Sequence, residues 1–344
     1  MVPEKQARLA ALTNWVRAGM DDAVVSTRAD FELRPASDDA SFRRYFRGWI
    51  GGQSHIFVDA PPAQENSEPF VRIASMLLEL GVNAPEVLRY DLELGFMMLT
   101  DLGDRLYYDA LVAGDGINSL YADAIDTILK MQGGKSHASL PAYDEALLRS
   151  EMSLFMEWFL QGQLQLEVSG TESRMVSDVF DQLVANALQQ PRVFVHRDYH
   201  CRNLMVLADK NPGVIDFQDA VVGPLTYDLV SLLKDCYYRF PPAQVAQWTE
   251  SFRLGAIENG IIGNIDAATF TTWFDLMGMQ RHLKCAGIFS RLNLRDSKPR
   301  YLADIPLVLD YLVETSTQYP VFSTFGDWLQ NEIVPRAASL RERA

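Results

Sequence analysis

The chain has 344 residues, of which 45 are acidic and 31 basic, giving a formal net charge of −14. Hydrophobic residues make up 48% and charged residues 22%, a composition that excludes wholesale disorder and that, at this length, indicates about two domains or lobes. The strong acidity repels phosphate backbones and argues against a nucleic-acid partner, and no apolar run approaches the ~20 residues of a membrane-spanning helix.

The cysteines and the N-terminal segment indicate in which cellular compartment the protein works. Cys201, Cys236 and Cys285 are odd in number and widely spaced, which argues against a disulfide framework or a zinc site. The opening residues mix charges with apolar side chains and lack the continuous apolar block of a secretory signal. We therefore expect a cytoplasmic protein that needs no membrane, nucleic acid or obligate protein partner.

The first hundred residues alternate short β-rich runs with turns. Gly51-Gly52 separates two such runs and predicts a β-hairpin, and Gly81 is expected to end a helix whose apolar residues recur at helical spacing. The elements predicted here are a first helix, the two hairpin strands, a second helix and two further strands: Lys5–Met20, Arg43–Ile50, His55–Ala60, the segment 67–81, Glu86–Asp91 and Gly95–Leu99.

Beyond Asp101 the pattern becomes mainly helical. One island, Val193–Pro224, interrupts it with three short apolar runs separated by polar loops. The helices predicted around that island are Leu106–Leu111, Gly116–Met131, Tyr143–Leu166, Glu172–Gln189, Leu225–Tyr238, Ala243–Asn259, Ala267–Leu292 and Tyr301–Gln318.

The island carries a motif with chemical content. Residues 196–203 read H-R-D-x-x-x-x-N, and Asp216 follows Asn203 by 13 positions at the end of an apolar run. Phosphoryl transfer needs a carboxylate to accept the proton of the attacking hydroxyl, together with oxygen ligands that hold Mg²⁺ against the nucleotide phosphates. Asp198 suits the first role, and Asn203 with Asp216 suits the second. The loop motif followed by Asp216 at this spacing is a far more specific sign of phosphoryl transfer than the loop motif or the aspartate alone.

These residues resemble the aminoglycoside phosphotransferase family, a branch of the protein-kinase-like superfamily. The family loop H-G-D-x-H-x-x-N is matched at His196, Asp198, His200 and Asn203, and its I-D-[FW] strand end at residues 215–217. The downstream G-x-x-x-x-D-L element is matched at residues 223–229, where the aspartate is implied to brace the catalytic loop by hydrogen bonding.

The resemblance implies an α+β, bilobal, protein-kinase-like fold. A small N-lobe with an antiparallel sheet would span residues 1–100, a hinge residues 101–103, and a larger helical C-lobe residues 104–344. ATP and Mg²⁺ are the implied cofactors, with Asp198 as base and Asn203 and Asp216 as metal ligands. The carbonyl of Thr100 and the amide of Leu102 would bind adenine at the hinge.

The phosphate-binding part of the N-lobe departs from the family pattern. Ser41 and neighbouring amides are implied to cap phosphates, but the strand His55–Ala60 lacks the usual lysine. Either Arg43 or Arg44 supplies that charge, or Mg²⁺ and the backbone act alone. Since adjacent strand residues point to opposite faces, at most one of the two arginines can face the nucleotide.

The remaining candidates concern the acceptor. His200 and Arg202 share the loop of Asp198, and Arg202 stands where family members often have glycine, so it would stabilise the transferred phosphate or meet a substrate carboxylate. Gln218 and Asp219 extend the metal strand and would bind sugar hydroxyls, unless they only form a turn.

The choice of acceptor also follows from resemblance. The strings ASFRRYFR, HRDYHCRNLMVL and GVIDFQDAVVGPLTYDLVSLLKD are similar to those of family members that phosphorylate the C1 hydroxyl of N-acetylmuramic acid and N-acetylglucosamine in cell-wall recycling. An amino sugar is therefore the expected substrate. The alternatives are another acceptor, namely an aminoglycoside, choline or homoserine, and a pseudokinase that binds nucleotide without turnover, which the missing lysine motivates.

Overall fold

The computed structural model describes residues 2–19, 31–37, 42–134, 139–338 and 340. The chain divides into two compact units, the first formed by Met1–Arg105 with Met205–Asp219 and the second by Leu106–Leu204 with Ala220–Ala344. The first unit therefore contains the sheet and the segment that carries Asp216. The loop with Asp198 and Asn203 belongs to the second unit.

The first unit is built on a five-stranded antiparallel sheet with the strand order β1-β2-β3-β5-β4. Its elements in chain order are helix α1 (Val2–Ala18), strands β1 (Arg34–Ser37), β2 (Arg44–Ile50) and β3 (Gln53–Asp59), helix α2 (Glu68–Glu79), and strands β4 (Val87–Asp91) and β5 (Phe96–Thr100). All were predicted except β1. That strand is too short and irregular for an alternating pattern, and it pairs with β2 through a break in register between Pro35 and Ser37.

The predicted hairpin forms because its turn residues permit the required backbone. Gly51 and Gly52 have φ values of 58° and 84°, and Ile50 pairs with Gln53 across the turn. Two consecutive residues with positive φ match the right-handed twist of the flanking strands, and glycine adopts this conformation without steric cost. The hairpin fixes the register of β2 against β3.

Helix α1 covers one face of the sheet. Leu12 and Val16 pack into a core with Phe46, Phe57 and Phe96 from three strands. A polar contact joins the same two layers, because Arg8 Nε donates to Asp59 Oδ1 at 2.7 Å.

Helix α2 anchors the segment that carries Asp216. Its buried residues include Phe70, Ile73 and Leu77, and the ring of Phe70 lies 4.8 Å from that of Phe217, centroid to centroid. Phe217 is fully buried and directly follows Asp216 in the chain. The packing of α2 therefore holds the end of this segment in place.

The second unit is mainly helical. Its helices are α3 (Tyr107–Ala113), α4 (Ile117–Gly133), α5 (Glu145–Leu154), α6 (Gly170–Gln189), α7 (Tyr227–Leu233), α8 (Pro242–Glu258), α9 (Ala267–Asp296), α10 (Ile305–Gln318), α11 (Ser323–Trp328) and α12 (Val334–Ala337). Shorter 3₁₀ turns span Pro299–Asp304 and Pro320–Phe322, and π-helical segments span Phe155–Gln163 and Leu329–Ile333. This confirms the predicted α+β class, with an antiparallel N-terminal sheet and a mainly helical remainder.

Three helix predictions need correction. The helix predicted over Tyr143–Leu166 is α5 followed by a π-helical segment, and the one over Leu225–Tyr238 is the shorter α7. The helix predicted over Tyr301–Gln318 is α10 preceded by the 3₁₀ turn Pro299–Asp304. Beyond the end of α7 the chain turns, and the Asp235 carboxylate accepts the Tyr237 N–H two residues later at 3.0 Å. The helices after Gln318 were not predicted, since short helices give weak periodicity.

Helix α9 is the central element of the second unit and packs against α5, α6, α7 and α10. A Cβ atom at Gly287 would lie 2.4 Å from the backbone of Leu154, so only glycine lets α9 approach α5 this closely. Among the described residues, every helix is too short or too polar to span a membrane. The island contributes four short strands: β6 (Arg192–Val195), β7 (Leu204–Met205), β8 (Gly213–Val214) and β9 (Val221–Pro224), with β6 antiparallel to β9.

Candidate active site

The loop that carries the sequence motif follows β6, and the Asp228 carboxylate holds its first residues by hydrogen bonds. One carboxylate oxygen of Asp228, in the first turn of α7, accepts the His196 N–H at 2.7 Å, and the other accepts the Arg197 N–H at 3.1 Å. Burial raises the pKa of Asp228 to about 7, although both N–H groups favour the carboxylate. Arg197 adopts φ 78°, a rare conformation for a residue with a side chain, and the two bonds hold it there.

The loop also braces itself. The Asn203 side-chain amide donates to the Asp198 carbonyl at 2.9 Å, and the Asn203 backbone amide donates to the His200 carbonyl at 2.8 Å. Because the Asn203 amide nitrogen is engaged with the loop, its amide oxygen points the opposite way. His196 is fully buried and accepts the Asp198 N–H at Nδ1, at 3.3 Å, which gives it a structural role beneath the loop.

The carboxylate of Asp198 lies in a strongly positive environment. Burial alone would raise its pKa, but nearby positive charges, those of Lys284 and Arg281 first and that of Arg197 among the others, outweigh burial and lower it. Asp198 is therefore anionic at neutral pH. Lys284 and Arg281 both come from α9, more than 80 residues further along the chain, and the sequence analysis did not identify either one.

A buried ion cluster connects this loop to α5 and α9. Glu151 of α5 is only 6% exposed, and it pairs with Arg197 and, at 3.1 Å, with Lys284 Nζ. The Tyr143 hydroxyl donates to the same carboxylate, and Lys284 also donates to the Tyr227 hydroxyl at 3.0 Å. Burial opposes ionisation of Glu151, but the two cations outweigh it and lower its pKa. The negative charge of Glu151 therefore offsets the positive charges of Arg197, which lies in the loop, and Lys284, which lies in α9.

His200 and Arg202 both contact Tyr237. The ring of His200 meets that of Tyr237 edge-on at 5.2 Å, and burial lowers the pKa of His200, so it is neutral at pH 7. The Arg202 guanidinium stacks between two rings, 3.7 Å from the Tyr237 centroid and 4.9 Å from that of Tyr108. Asp235 fixes this side of the loop by accepting the Cys201 N–H at 3.1 Å.

Asp216, in the first unit, has φ 66° and is held by the residue two positions later. Gln218 Nε2 donates to Asp216 Oδ1 at 2.8 Å, while Asp219 is exposed in the following turn. Gln218 thus orients the aspartate, a contact that the sequence did not indicate. Across the described residues no three His, Cys, Asp or Glu side chains gather into a metal site.

The segment predicted to bind adenine is locked to the sheet by an arginine. Arg47 of β2 forms a two-pronged ion pair with Asp101, with Nε–Oδ2 at 2.6 Å and Nη2–Oδ1 at 2.9 Å. The same Arg47 nitrogen donates to the Gly103 carbonyl at 2.7 Å. Within the described part of the chain, the Leu102 amide has no hydrogen-bond acceptor.

The two arginines proposed for the phosphates have separate ion-pair partners: Arg43 lies directly before β2, and Arg44 is the first residue of that strand. Arg43 is 6% exposed and pairs with Glu65 at 3.1 Å, whereas Arg44 pairs with Asp59, the carboxylate that also holds Arg8. Arg44 therefore lies on the face that α1 covers. The third phosphate candidate, Ser41, falls outside the described residues.

Comparison with known proteins gives consistent matches along most of the chain. Residues 32–258 match the model of the phosphotransferase enzyme family APH. A protein of Pseudomonas putida called N-acetylmuramate/N-acetylglucosamine kinase is 43% identical over 330 residues, which are 95% of this chain and 97% of that protein. One of the same name from Pseudomonas aeruginosa is 45% identical over 298 residues, covering 87% and 88% of the two chains.

Solved structures show the same fold at low sequence identity. A choline kinase from Cryptosporidium parvum superimposes with a TM-score of 0.62 at 11% identity, over 94% of this chain and all of that one. The predicted kinase-like fold and the predicted family are both confirmed. With the catalytic-loop motif, the sheet and helices of this fold and a full-length match to the curated relatives, the chain belongs to the aminoglycoside phosphotransferase (APH) family of phosphotransferase enzymes.

Proposed function

We propose that this protein transfers the γ-phosphoryl group of ATP to the C1 hydroxyl of N-acetylmuramate and N-acetylglucosamine, giving the α-1-phosphate and ADP. The observation that carries this proposal is the alignment with kinases named for both sugars across 95% of this chain and 97% of the relative. The reaction would return cell-wall amino sugars to use. The choline kinase match, at 11% identity, supports the fold and carries no argument about the acceptor.

Asp198 is the proposed base. Its carboxylate accepts a hydrogen bond from the C1 hydroxyl and orients that oxygen towards the γ-phosphorus. As the new C1–O–P bond forms and the bond between the γ-phosphorus and the bridging oxygen breaks, the hydroxyl proton passes to Asp198 and then to solvent, and ADP leaves. Since the pKa of Asp198 is lowered, the carboxylate acts mainly by orientation and takes the proton late. An anomeric hydroxyl, more acidic than an ordinary alcohol, suits so weak a base.

Asn203 and Asp216 are the proposed ligands of Mg²⁺. Their donor atoms fit this ion, because an amide oxygen and a carboxylate oxygen are hard ligands and Mg²⁺ in kinases completes its shell with phosphate oxygens and water. The Asn203 nitrogen is already bonded to the loop, which directs the oxygen away from it. When bound, Mg²⁺ neutralises charge on the transferred phosphoryl group.

Thr100 and Leu102 are the proposed adenine contacts. The Leu102 amide, which has no acceptor among the described residues, is available to the ring. Arg47 and Asp101 hold the segment between these two residues in one conformation, so little ordering is left for the nucleotide to impose. The arrangement supports a preformed hinge.

Replacing Arg47 by methionine is therefore expected to weaken ATP binding. Freeing Asp101 and Gly103 adds an ordering cost on the order of 1 kcal/mol, which appears as roughly a fivefold rise in KM for ATP with little change in kcat. Steady-state kinetics at saturating acceptor measure both constants. The matched control is Arg34→Met in β1, whose exposed pair with Glu32 at 3.3 Å should be dispensable. An unchanged KM in Arg47→Met would remove the hinge from the proposed ATP site.

Two alternatives remain distinguishable. A different acceptor, such as an aminoglycoside, choline or homoserine, would use the same loop with other contacts. Polycationic aminoglycosides favour carboxylate-lined sites, whereas the guanidinium of Arg202 beside the loop favours a neutral or anionic acceptor. A pseudokinase would keep Asp198, Asn203 and Asp216 without using them, which is the weaker alternative because the loop is fully braced.

Phosphorus NMR of a reaction with ATP, Mg²⁺ and N-acetylmuramate tests the proposal directly. We expect a new phosphomonoester signal coupled to the anomeric proton, with the coupling constant of the α configuration, and the same outcome with N-acetylglucosamine. Parallel reactions with kanamycin and choline test the alternative acceptors. Intact ATP with both sugars would overturn the proposed substrate, and no turnover with any acceptor would favour the pseudokinase.

A further inference from the structure

Gln218 has a side-chain amide of which one arm is hydrogen-bonded and the other is not. Its Nε2 donates to Asp216 Oδ1 at 2.8 Å. Because Nε2 is the donor in this bond, the orientation of the amide is fixed and Oε1 forms its other arm. That oxygen is buried and, among the residues that the structure describes, has no hydrogen-bond partner. The amide therefore holds the aspartate with one arm and needs a donor for the other.

The backbone keeps Gln218 and Asp216 in this arrangement. Asp216 has φ 66°, a left-handed conformation that residues with a side chain adopt infrequently and often at functional sites. Phe217, between the two residues, is fully buried, and its ring lies 4.8 Å from that of Phe70 in α2. Since the residue between them is anchored in the core, Gln218 and Asp216 have little freedom to move apart.

The buried oxygen indicates what binds beside Asp216. A buried acceptor without a donor costs free energy, because it has lost its hydrogen bonds to water. Mg²⁺ held by one or two carboxylates keeps several water molecules, and the charge of the ion polarises their O–H bonds. Such water is a strong donor, and it is carried by the ion that we assign to Asp216. A hydrated cation therefore supplies the donor that Oε1 lacks.

We propose that Gln218 supports the metal site without touching the ion: Nε2 positions Asp216, and Oε1 accepts a hydrogen bond from a water molecule bound to Mg²⁺. This inference rests on the proposed function, in which Asp216 is a metal ligand. It makes Gln218 a positioning residue for the complex of nucleotide and metal, a role different from the contact with sugar hydroxyls that the sequence suggested. Partners that orient a metal ligand in this way typically contribute about 10- to 100-fold in metal affinity or activity.

Gln218→Met tests this assignment, because methionine has nearly the same length but no N–H donor and only a weak acceptor. The measurement is a titration with a non-hydrolysable ATP analogue, once with EDTA and once with Mn²⁺, which prefers the same oxygen ligands as Mg²⁺. We expect the affinity for the Mn²⁺–nucleotide complex to fall about 10- to 100-fold and that for the metal-free nucleotide to change by less than about 3-fold. Gln53→Met is the matched control, since Gln53 is exposed at the first position of β3 and should affect neither value.

A double-mutant cycle with Asp216→Asn separates positioning from a general structural role. Because Gln218 acts through Asp216 and its ion, the double variant should lose no more of the Mn²⁺-dependent affinity than Asp216→Asn alone. Additive losses would overturn the inference, as would an unchanged affinity for the Mn²⁺–nucleotide complex in Gln218→Met.

The remaining outcomes distinguish this inference from the proposed function. Equal losses with Mn²⁺ and with EDTA, together with a lower melting temperature, would make Gln218 a structural residue and overturn the inference alone. A wild type that binds the nucleotide no better with Mn²⁺ than with EDTA would overturn the proposed metal ligands Asn203 and Asp216 as well.

Discussion

Replacing Asp198 by asparagine is expected to reduce kcat by about 10²- to 10⁴-fold, the range observed when a positioned base is removed. Asparagine has almost the same shape and can still accept a hydrogen bond from the acceptor hydroxyl, but it cannot take the proton. The backbone bonds of the loop, from His196 and Arg197 to Asp228 and from Asn203 to the Asp198 carbonyl, do not involve the substituted side chain. Folding and ATP affinity should therefore be retained, as circular dichroism and nucleotide titration would show.

The pH dependence of the wild type provides a second readout of the same residue. Lys284 and Arg281 outweigh the effect of burial and lower the pKa of Asp198 from its ordinary value of 3.8. The carboxylate is ionised above that lowered pKa, so kcat/KM should show no acid limb from Asp198 at pH 4 or above.

Asp209→Asn, in an exposed loop, is the control for Asp198→Asn and should remain fully active. A fully active Asp198→Asn enzyme would contradict the assigned base.

Local sequence signals predicted the parts of this site that are close together in the chain. Gly51-Gly52 predicted the hairpin because few other residues tolerate two positive φ values, and the spacing from His196 to Asn203 predicted the loop because its geometry depends on short-range hydrogen bonds. The bracing by Asp228, implied by the family resemblance, is present in the structure.

The charges that act on Asp198 could not be read from local patterns. Arg281 and Lys284 lie within a helix whose periodicity shows only that it is largely buried, and polar residues at such positions are normally assigned to the surface. Their effect arises only when α9 packs beside the loop, a contact between residues more than 80 positions apart. Tyr237 is a similar case, because an aromatic residue near a helix end is usually core, whereas here it stacks on Arg202.

Replacing Glu151 by glutamine is expected to cause the largest loss of stability, about 3–5 kcal/mol. Glutamine fills the same volume and can still accept a bond from Tyr143, so the change removes mainly the negative charge. Arg197 and Lys284, which both pair with Glu151, would then remain buried without their counter-ion. Chemical denaturation followed by circular dichroism measures the loss. Activity should also fall, because Arg197 belongs to the catalytic loop.

Glu145→Gln isolates the contribution of burial. Glu145 begins the same helix and pairs with Arg149 at 2.7 Å, but both side chains are well exposed, and such i,i+4 pairs contribute about 0.5 kcal/mol or less.

The stability of the wild type and that of Glu151→Gln should also depend differently on pH. Because the pKa of Glu151 is lowered from 4.5, its stabilisation is complete above that value and is lost as the pH falls through the lowered pKa. The Glu151→Gln protein should lack this acid-dependent loss. If the Glu151 and Glu145 variants were equally stable, the ion cluster would not be what supports the catalytic loop.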